Sequence, residues 1–198
     1  MTRTREITDG VLLRPFESLA TNFLSSRYYD GRRIIDLLDS RESAEHWMST
    51  VHAHLHGPAP FLPTATQLDR LRTARTHIEA LYEKVVTRTL SEADVAAFNA
   101  TSSVTLSATQ LGVVRIGDVD TLTFRTTSES SESNTFVALS IAAMDTLTGP
   151  RARILRKCHA PRCVLYFTQF DSRQHWCSNV CGNRARVARA AVHQRSST

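Results

Sequence analysis

Residues 158–189 read CHAPRCVLYFTQFDSRQHWCSNVCGNRARVAR, and every cysteine of the 198-residue chain lies in this stretch. The cysteines form two close pairs, Cys158-x4-Cys163 and Cys177-x3-Cys181, with thirteen residues between them. Zinc takes four ligands at tetrahedral corners, and thiolate sulfur suits its borderline-soft character. Each pair supplies two corners from one turn or one helix start. Between the pairs, Val164, Tyr166 and Phe167 read as a strand, Asp171-Ser172 as a turn and His175-Trp176 as a returning strand. Cys181 opens a helix, because GNRARVARAAVHQ contains good helix formers and no proline. A loop pair, a hairpin and a second pair at a helix start predict a treble-clef-like zinc ribbon holding one structural zinc ion. Four thiolates leave no coordination position open for catalysis. An iron–sulfur centre and redox sensing are the alternative uses of such a cluster. His159 and His175 stand beside ligands and are expected to hydrogen-bond around a site that the four sulfurs already fill.

The charge is as lopsided as the cysteines. Residues 151–198 carry ten Lys/Arg and a single acid, Asp171, whereas residues 1–150 carry 14 Lys/Arg and 18 Asp/Glu. A dense basic segment beside a mildly acidic body is the footprint of a module that binds a polyanion. A solvated basic tail is the plainer reading of the same charges. No apolar run is long enough to span a bilayer, and MTRTREITDG lacks the apolar core of a secretory signal. The cytoplasm is the expected location. Its reducing conditions favour metal binding over disulfides.

Upstream, Leu12, Leu13, Phe16, Leu19, Phe23, Leu24 and Tyr28 recur at helical spacing, which predicts a helix within 11–29, broken by Gly31. Asp39 or Ser40 caps a second helix over about 41–56, ended by Gly57-Pro58. Thr64 or Thr66 starts the strongest helix, with Leu68, Leu71, Ile78, Leu81, Tyr82 and Val85 on one face. Ser91-Glu92-Ala93-Asp94 caps a short helix that ends near Ala100. The segments 104–109, 111–116 and 119–125 are rich in β-branched residues and read as a three-stranded antiparallel meander. A helix over 135–147 follows and stops at Gly149-Pro150. The expected fold is α+β. It comprises a mainly helical N-terminal domain over 1–147 with a small β-meander, a basic linker over 148–156 and the zinc module over 157–195. Residues 1–147 are expected to fold alone. His52, His54 and His56 lie in a last helical turn, where the helix dipole and solvent account for them. Arg32-Arg33, between Asp30 and Asp36, reads as an ion-paired surface loop.

A helical wheel over 180–195 puts Val180, Arg184, Val187, Ala188 and Ala191 on one side and Arg186, Arg189 and His193 on the other. Arg184 is therefore expected to be partly buried, bonding a carbonyl of the zinc loop or Asp171. Trp176 is expected to pack under the helix. Arg186 and Arg189 are the candidate phosphate contacts, with Arg151, Arg153, Arg156 and Lys157 as a second patch. No nucleophile elbow, phosphate loop, HExxH or glycine-rich nucleotide turn is present, so an enzyme is not expected.

The run Trp176-Cys177-Ser178, Cys181-Gly182-Asn183-Arg184 and Ala185-Arg186, with Cys158-x4-Cys163 and Phe167/Asp171 upstream, resembles the CGNR zinc finger over about 150–192. Residues 16–48, through DLLDSRESAEHWM (36–48), resemble the ABATE domain that usually precedes that finger. Two positions depart from the family pattern. Ser25-Ser26 stand where it shows Asn-Thr, and Gln174-His175 stand where it carries two basic residues before the Trp. The resemblance implies a DNA-binding transcription regulator whose N-terminal domain senses an effector, binds a protein or forms a homodimer. A zinc-stabilised module that binds another protein without touching DNA is the competing expectation, since one fold hosts both roles.

Overall fold

The computed structural model describes residues 6–106, 109–116, 119–126 and 130–196. The first described elements are strands β1 (Glu6–Thr8) and β2 (Val11–Leu13), paired antiparallel through Asp9-Gly10. Both turn residues have positive φ, +48° and +80°, the backbone of the tight hairpin turn that suits the twist of its strands. Helix α1 (Leu19–Leu24) follows, capped by the Ser18 hydroxyl, then strands β3 (Arg27–Tyr29) and β4 (Ile34–Asp36) in a second hairpin. The single helix expected within 11–29 is thus two strands flanking a six-residue helix. Asp9-Gly10 and Pro15 break the local helical geometry that the apolar spacing suggests.

Helix α2 (Arg41–Leu55) starts at a reciprocal Ser40/Ser43 capping box. It ends at His56 in the left-handed conformation, with the His52 Nδ1 2.7 Å from the Gly57 carbonyl. Helix α3 (Ala65–Thr87) has a Thr64/Gln67 box and buries Leu68, Leu71, Ile78, Leu81 and Tyr82. Among the described residues the expected ion pairing of Asp30 with Arg32-Arg33 is replaced by backbone hydrogen bonds, Asp30 accepting the N–H groups of Arg32 and Arg33 at 2.6 and 2.8 Å. Asp36 turns inward to Arg75, which donates at 2.7 and 2.6 Å and also reaches Ser26 Oγ at 2.9 Å.

That bidentate pair fixes β4 on α3. Burial opposes ionisation of Asp36, yet hydrogen bonds from Arg75 and from the Leu38 N–H hold its carboxyl below the ordinary 3.8. A depressed carboxyl stabilises the fold fully above that ordinary value and less as pH falls through the folded one. Asp36→Ala is expected to strand a buried guanidinium, at a cost on the order of 3 kcal/mol. Urea titration at neutral pH measures this. A loss below 1 kcal/mol would place the anchoring elsewhere.

Helix α4 (Glu92–Leu106) runs on through residues expected as the first meander strand. Ser91 and Asp94 cap it reciprocally, and Phe98 is buried; once nucleated, this helix carries its β-branched end. The meander is therefore a two-stranded hairpin, β5 (Thr109–Ile116) and β6 (Val119–Thr126). Helix α5 (Ser131–Thr148), capped by Ser130, packs on α1 and α4. The stretch expected as a linker holds the short helix α6 (Arg151–Ile154) and the start of strand β7 (Leu155–Lys157), whose Leu155 is buried. Strand β8 (Tyr166–Thr168) and helix α7 (Asn179–Ser196) complete a mainly helical α+β fold with small antiparallel strand pairs.

Among the described residues, one buried cluster joins the N-terminal part to the zinc module. Val11, Phe23, Trp47 and Tyr82 belong to the same buried cluster as Leu155, Tyr166 and Phe167. The Tyr82 and Tyr166 rings meet edge to face at 5.6 Å. Polar groups close the same joint. The Arg14 guanidinium donates to the Tyr166 carbonyl at 2.5 Å and to Glu17 at 3.0 Å. Glu17 accepts in turn from the Thr168 N–H at 3.1 Å and the Thr168 hydroxyl at 2.7 Å. These contacts oppose the expectation that 1–147 folds alone, because the zinc module supplies one wall of the common core.

Candidate metal centre and basic groove

Strands β7 and β8 pair antiparallel, with Lys157 opposite Tyr166, and the first cysteine pair sits in their connection. The Cys158 N–H bonds the Leu165 carbonyl at 2.9 Å, and the Cys163 N–H bonds Ala160 O at 2.9 Å. Arg162 takes a positive φ of 61° to close this loop. The second pair sits where α7 begins. Ser178 serves as its cap, taking the Cys181 N–H on its hydroxyl at 3.3 Å and the Gly182 N–H on its carbonyl at 3.0 Å. His175-Trp176 do not return as a strand: β8 has already paired with β7, upstream of the first cysteine.

The four sulfurs all lie within 4.8 Å of one another. Cys163–Cys177, Cys177–Cys181 and Cys181–Cys163 are 3.8, 3.4 and 3.7 Å apart. Zn–S bonds near 2.3 Å at tetrahedral angles give sulfur separations of about 3.8 Å, so the quartet fits one zinc ion. Cys158, Cys177 and Cys181 are buried. Packed together, the thiols cannot ionise alike. Hydrogen bonds from Cys158, Cys163 and Cys177 hold Cys181 far below the ordinary thiol range, and the same network pushes Cys177 up. A divalent cation among them relieves that conflict, which is why such quartets take metal. His159 and His175 are exposed and outside this group.

Two neighbours shape the site. The Trp176 indole lies against Gly182, where any Cβ would come within 3.1 Å of the Trp176 Cδ1. Gly182 is therefore the residue that lets Trp176 pack on α7. Arg184 donates to Cys181 Sγ at 3.0 Å, and its Cζ stands 4.7 Å over the Tyr29 ring. Neither expected partner, a zinc-loop carbonyl or Asp171, is the one it uses. Asp171 instead pairs with the exposed Arg173 at 3.2 Å.

The inward face of α7 also differs from the wheel. Cys181, Gly182 and Ala185 are buried, while Val180 is 56% and Val187 70% exposed. The buried face is turned about one residue, roughly 100°, from the apolar stripe. Cys181 must point at its three partner sulfurs, and that requirement outranks two valines.

The basic residues part company. Arg186 and Arg189 are exposed and line an open groove of about 770 Å³ with Phe170, Arg173, His175 and Trp176. Arg151 adjoins it, its Cζ 5.7 Å over the Phe170 ring. Arg153 is exposed on α6, and Arg156 donates to the Arg153 and Leu155 carbonyls at 3.0 and 2.8 Å. Lys157 is outside the groove lining and is paired with Glu83 at 2.7 Å. Sequence reasoning passed over Phe170 and Arg173 in the groove and Tyr29 at the metal site. An exposed Phe beside a basic run was the available signal for the first, and nothing local marks Tyr29. The His193 side chain, placed opposite the apolar stripe by the wheel, lies outside the described residues.

Among the described residues, no helix is long and apolar enough to cross a membrane. No curated protein matches the chain. Residues 154–194 match the CGNR zinc finger, and residues 17–150 match ABATE, described as "Putative stress-induced transcription regulator". With well over half of its length in the ABATE match and a four-cysteine centre that fits one zinc ion, the chain belongs to the ABATE family and carries a CGNR zinc finger over 154–194.

Proposed function

We propose that this protein is a DNA-binding, non-enzymatic transcription regulator of the cytoplasm. Its zinc site is structural, and its N-terminal domain receives a signal, binds a partner or joins a second copy. The groove on the outer side of α7 carries this reading. It gathers Arg186 and Arg189 beside Phe170 and Arg151, reaches back to the ligand Cys177, and has Asp171 as the single acid in its lining, already paired to Arg173. Guanidinium groups so placed suit the phosphates of a nucleic-acid backbone.

Replacing Arg186 and Arg189 together by Ala is expected to weaken DNA binding across all sequences. It should also flatten the plot of log affinity against log salt by about 0.9 for each phosphate that is no longer neutralised. Zinc content should stay the same, since the hydrogen bonds of these two side chains go to Asn183 and the Ala185 carbonyl and the guanidinium on a ligand sulfur is that of Arg184. Fluorescence anisotropy at several salt concentrations reads the slope. An unaltered slope rejects the assignment of these two arginines to phosphates.

The exposed Val180 and Val187 favour a second reading, a finger that binds another protein through the apolar side of α7. Failure of the unmodified chain to bind DNA at low salt would make this the better account.

A further inference from the structure

Tyr29 belongs to β3 in the N-terminal domain, yet it stands between the two halves of the metal centre. Arg162, from the loop between Cys158 and Cys163, has its Cζ 5.8 Å from the Tyr29 ring centroid and donates to the Tyr29 hydroxyl at 3.3 Å. Arg184, from the helix that Cys181 opens, has its Cζ 4.7 Å from the same ring. The Tyr29 hydroxyl in turn donates to the Gly31 carbonyl at 2.7 Å, which ties the ring to its own hairpin turn. Tyr29 is only 7% exposed.

What Arg184 does at the far end is specific. Four thiolates around a divalent cation leave two net negative charges in a buried site, and charge-assisted donation to a ligand sulfur offsets them. Among the described residues, Arg184 makes such a donation, at 3.0 Å to Cys181 Sγ. Its Nε is buried with no hydrogen-bond partner among the described residues. A guanidinium held this way gives up part of its hydration, and the face of an aromatic ring is the compensation the fold provides. Without the ring, the long side chain is free to turn outward to water beside Asn183 and Val187, both exposed one turn away or less.

We propose that Tyr29 is a positioning residue for the metal centre: its ring holds the Arg184 guanidinium on Cys181 Sγ, so the β3–β4 hairpin of the N-terminal domain sets how firmly the finger keeps its zinc. This gives the family's two parts a physical connection. Whatever displaces the hairpin over Arg27–Asp36 also withdraws the ring from Arg184. The connection does not depend on the groove binding DNA.

The test uses the zinc-loaded full chain and an excess of a chromogenic zinc chelator, with release followed by absorbance. Tyr29→Leu is expected to speed release about tenfold or more, within the range by which outer-sphere partners alter metal affinity. Tyr29→Phe keeps the ring face and should stay within about threefold of the parent. Arg184→Gln should release zinc as fast as Tyr29→Leu, and adding Tyr29→Leu to Arg184→Gln should accelerate it no further. A residue that merely packs would add the same increment in both backgrounds, so that additivity overturns the proposal. Parent-like release from a folded Tyr29→Leu protein overturns it too, as does a Phe variant that releases as fast as the Leu variant. Tyr29→Met, whose flexible apolar side chain adapts to the space but offers no ring face, takes the place of Leu if that variant does not fold.

Discussion

Cys181→Ser protein is expected to lose stoichiometric zinc and to melt far below the parent, with the N-terminal helices melting alongside the finger. Metal binding in modules of this size is worth on the order of 10–16 kcal/mol, more than a few dozen residues can recover from their own apolar core. In this chain the loss does not stay local. Leu155, Tyr166 and Phe167 are each no more than 2% exposed, and they belong to the cluster that includes Phe23 and Tyr82. If the variant forfeits only about 5 kcal/mol, the midpoint should fall by roughly 10–20 °C for a chain of this size. Circular dichroism at 222 nm during heating, with and without a strong chelator on the parent protein, checks this. An early transition confined to the finger, with the main helical transition unmoved, would show that the shared core carries little energy. A fragment ending at residue 147 is expected to lack a cooperative transition for the same reason.

Glu17→Ala carries the second large expected effect. The Glu17 side chain is 5% exposed and that of Arg14 7%, so this ion pair is inside the protein. Removing the carboxylate leaves the Arg14 guanidinium with Ser25 Oγ at 3.3 Å and the Tyr166 carbonyl, and takes away the acceptor of the Thr168 N–H and hydroxyl. Breaking one side of a buried pair typically costs about 3–5 kcal/mol. For a chain of this length that is a fall in melting midpoint of about 10 °C. Glu17→Gln separates the two contributions. It keeps an acceptor for Thr168 but not the charge, and it should retain part of the lost stability. Equal losses in Gln and Ala would assign the whole effect to charge. Zinc content in both variants should stay at the parent level while the protein is folded, because neither side chain reaches the sulfurs.

Capping chemistry and ligand spacing were legible from residues alone. Ser40, Thr64 and Ser91 announce helix starts because a hydroxyl within three residues of a backbone N–H acts locally, whatever the rest of the chain does. The cysteine quartet was legible for a similar reason. Zinc chemistry demands particular ligand types at short spacings, and the two close cysteine pairs meet that demand without reference to the rest of the chain. Three expectations failed where a distant partner outweighed a local preference. Residues 104–106 are β-branched or apolar yet continue α4. β8 pairs with β7 rather than with His175-Trp176. The face of α7 that turns inward follows Cys181 to its sulfur partners, not Val180 and Val187 to an apolar core.

The metal centre and the basic character of the finger thus follow from residue type and spacing over some thirty positions. Which cations reach the groove and which are committed elsewhere does not. Lys157 and Arg186 are alike in sequence terms, but one is neutralised by Glu83, 74 residues away along the chain, and the other is open to solvent. Tyr29 carries no local mark of a role beside a zinc ligand. It acquires one because the hairpin of one part is packed against the loops of the other, and only the tertiary fold brings residues 29, 162 and 184 within a few ångströms.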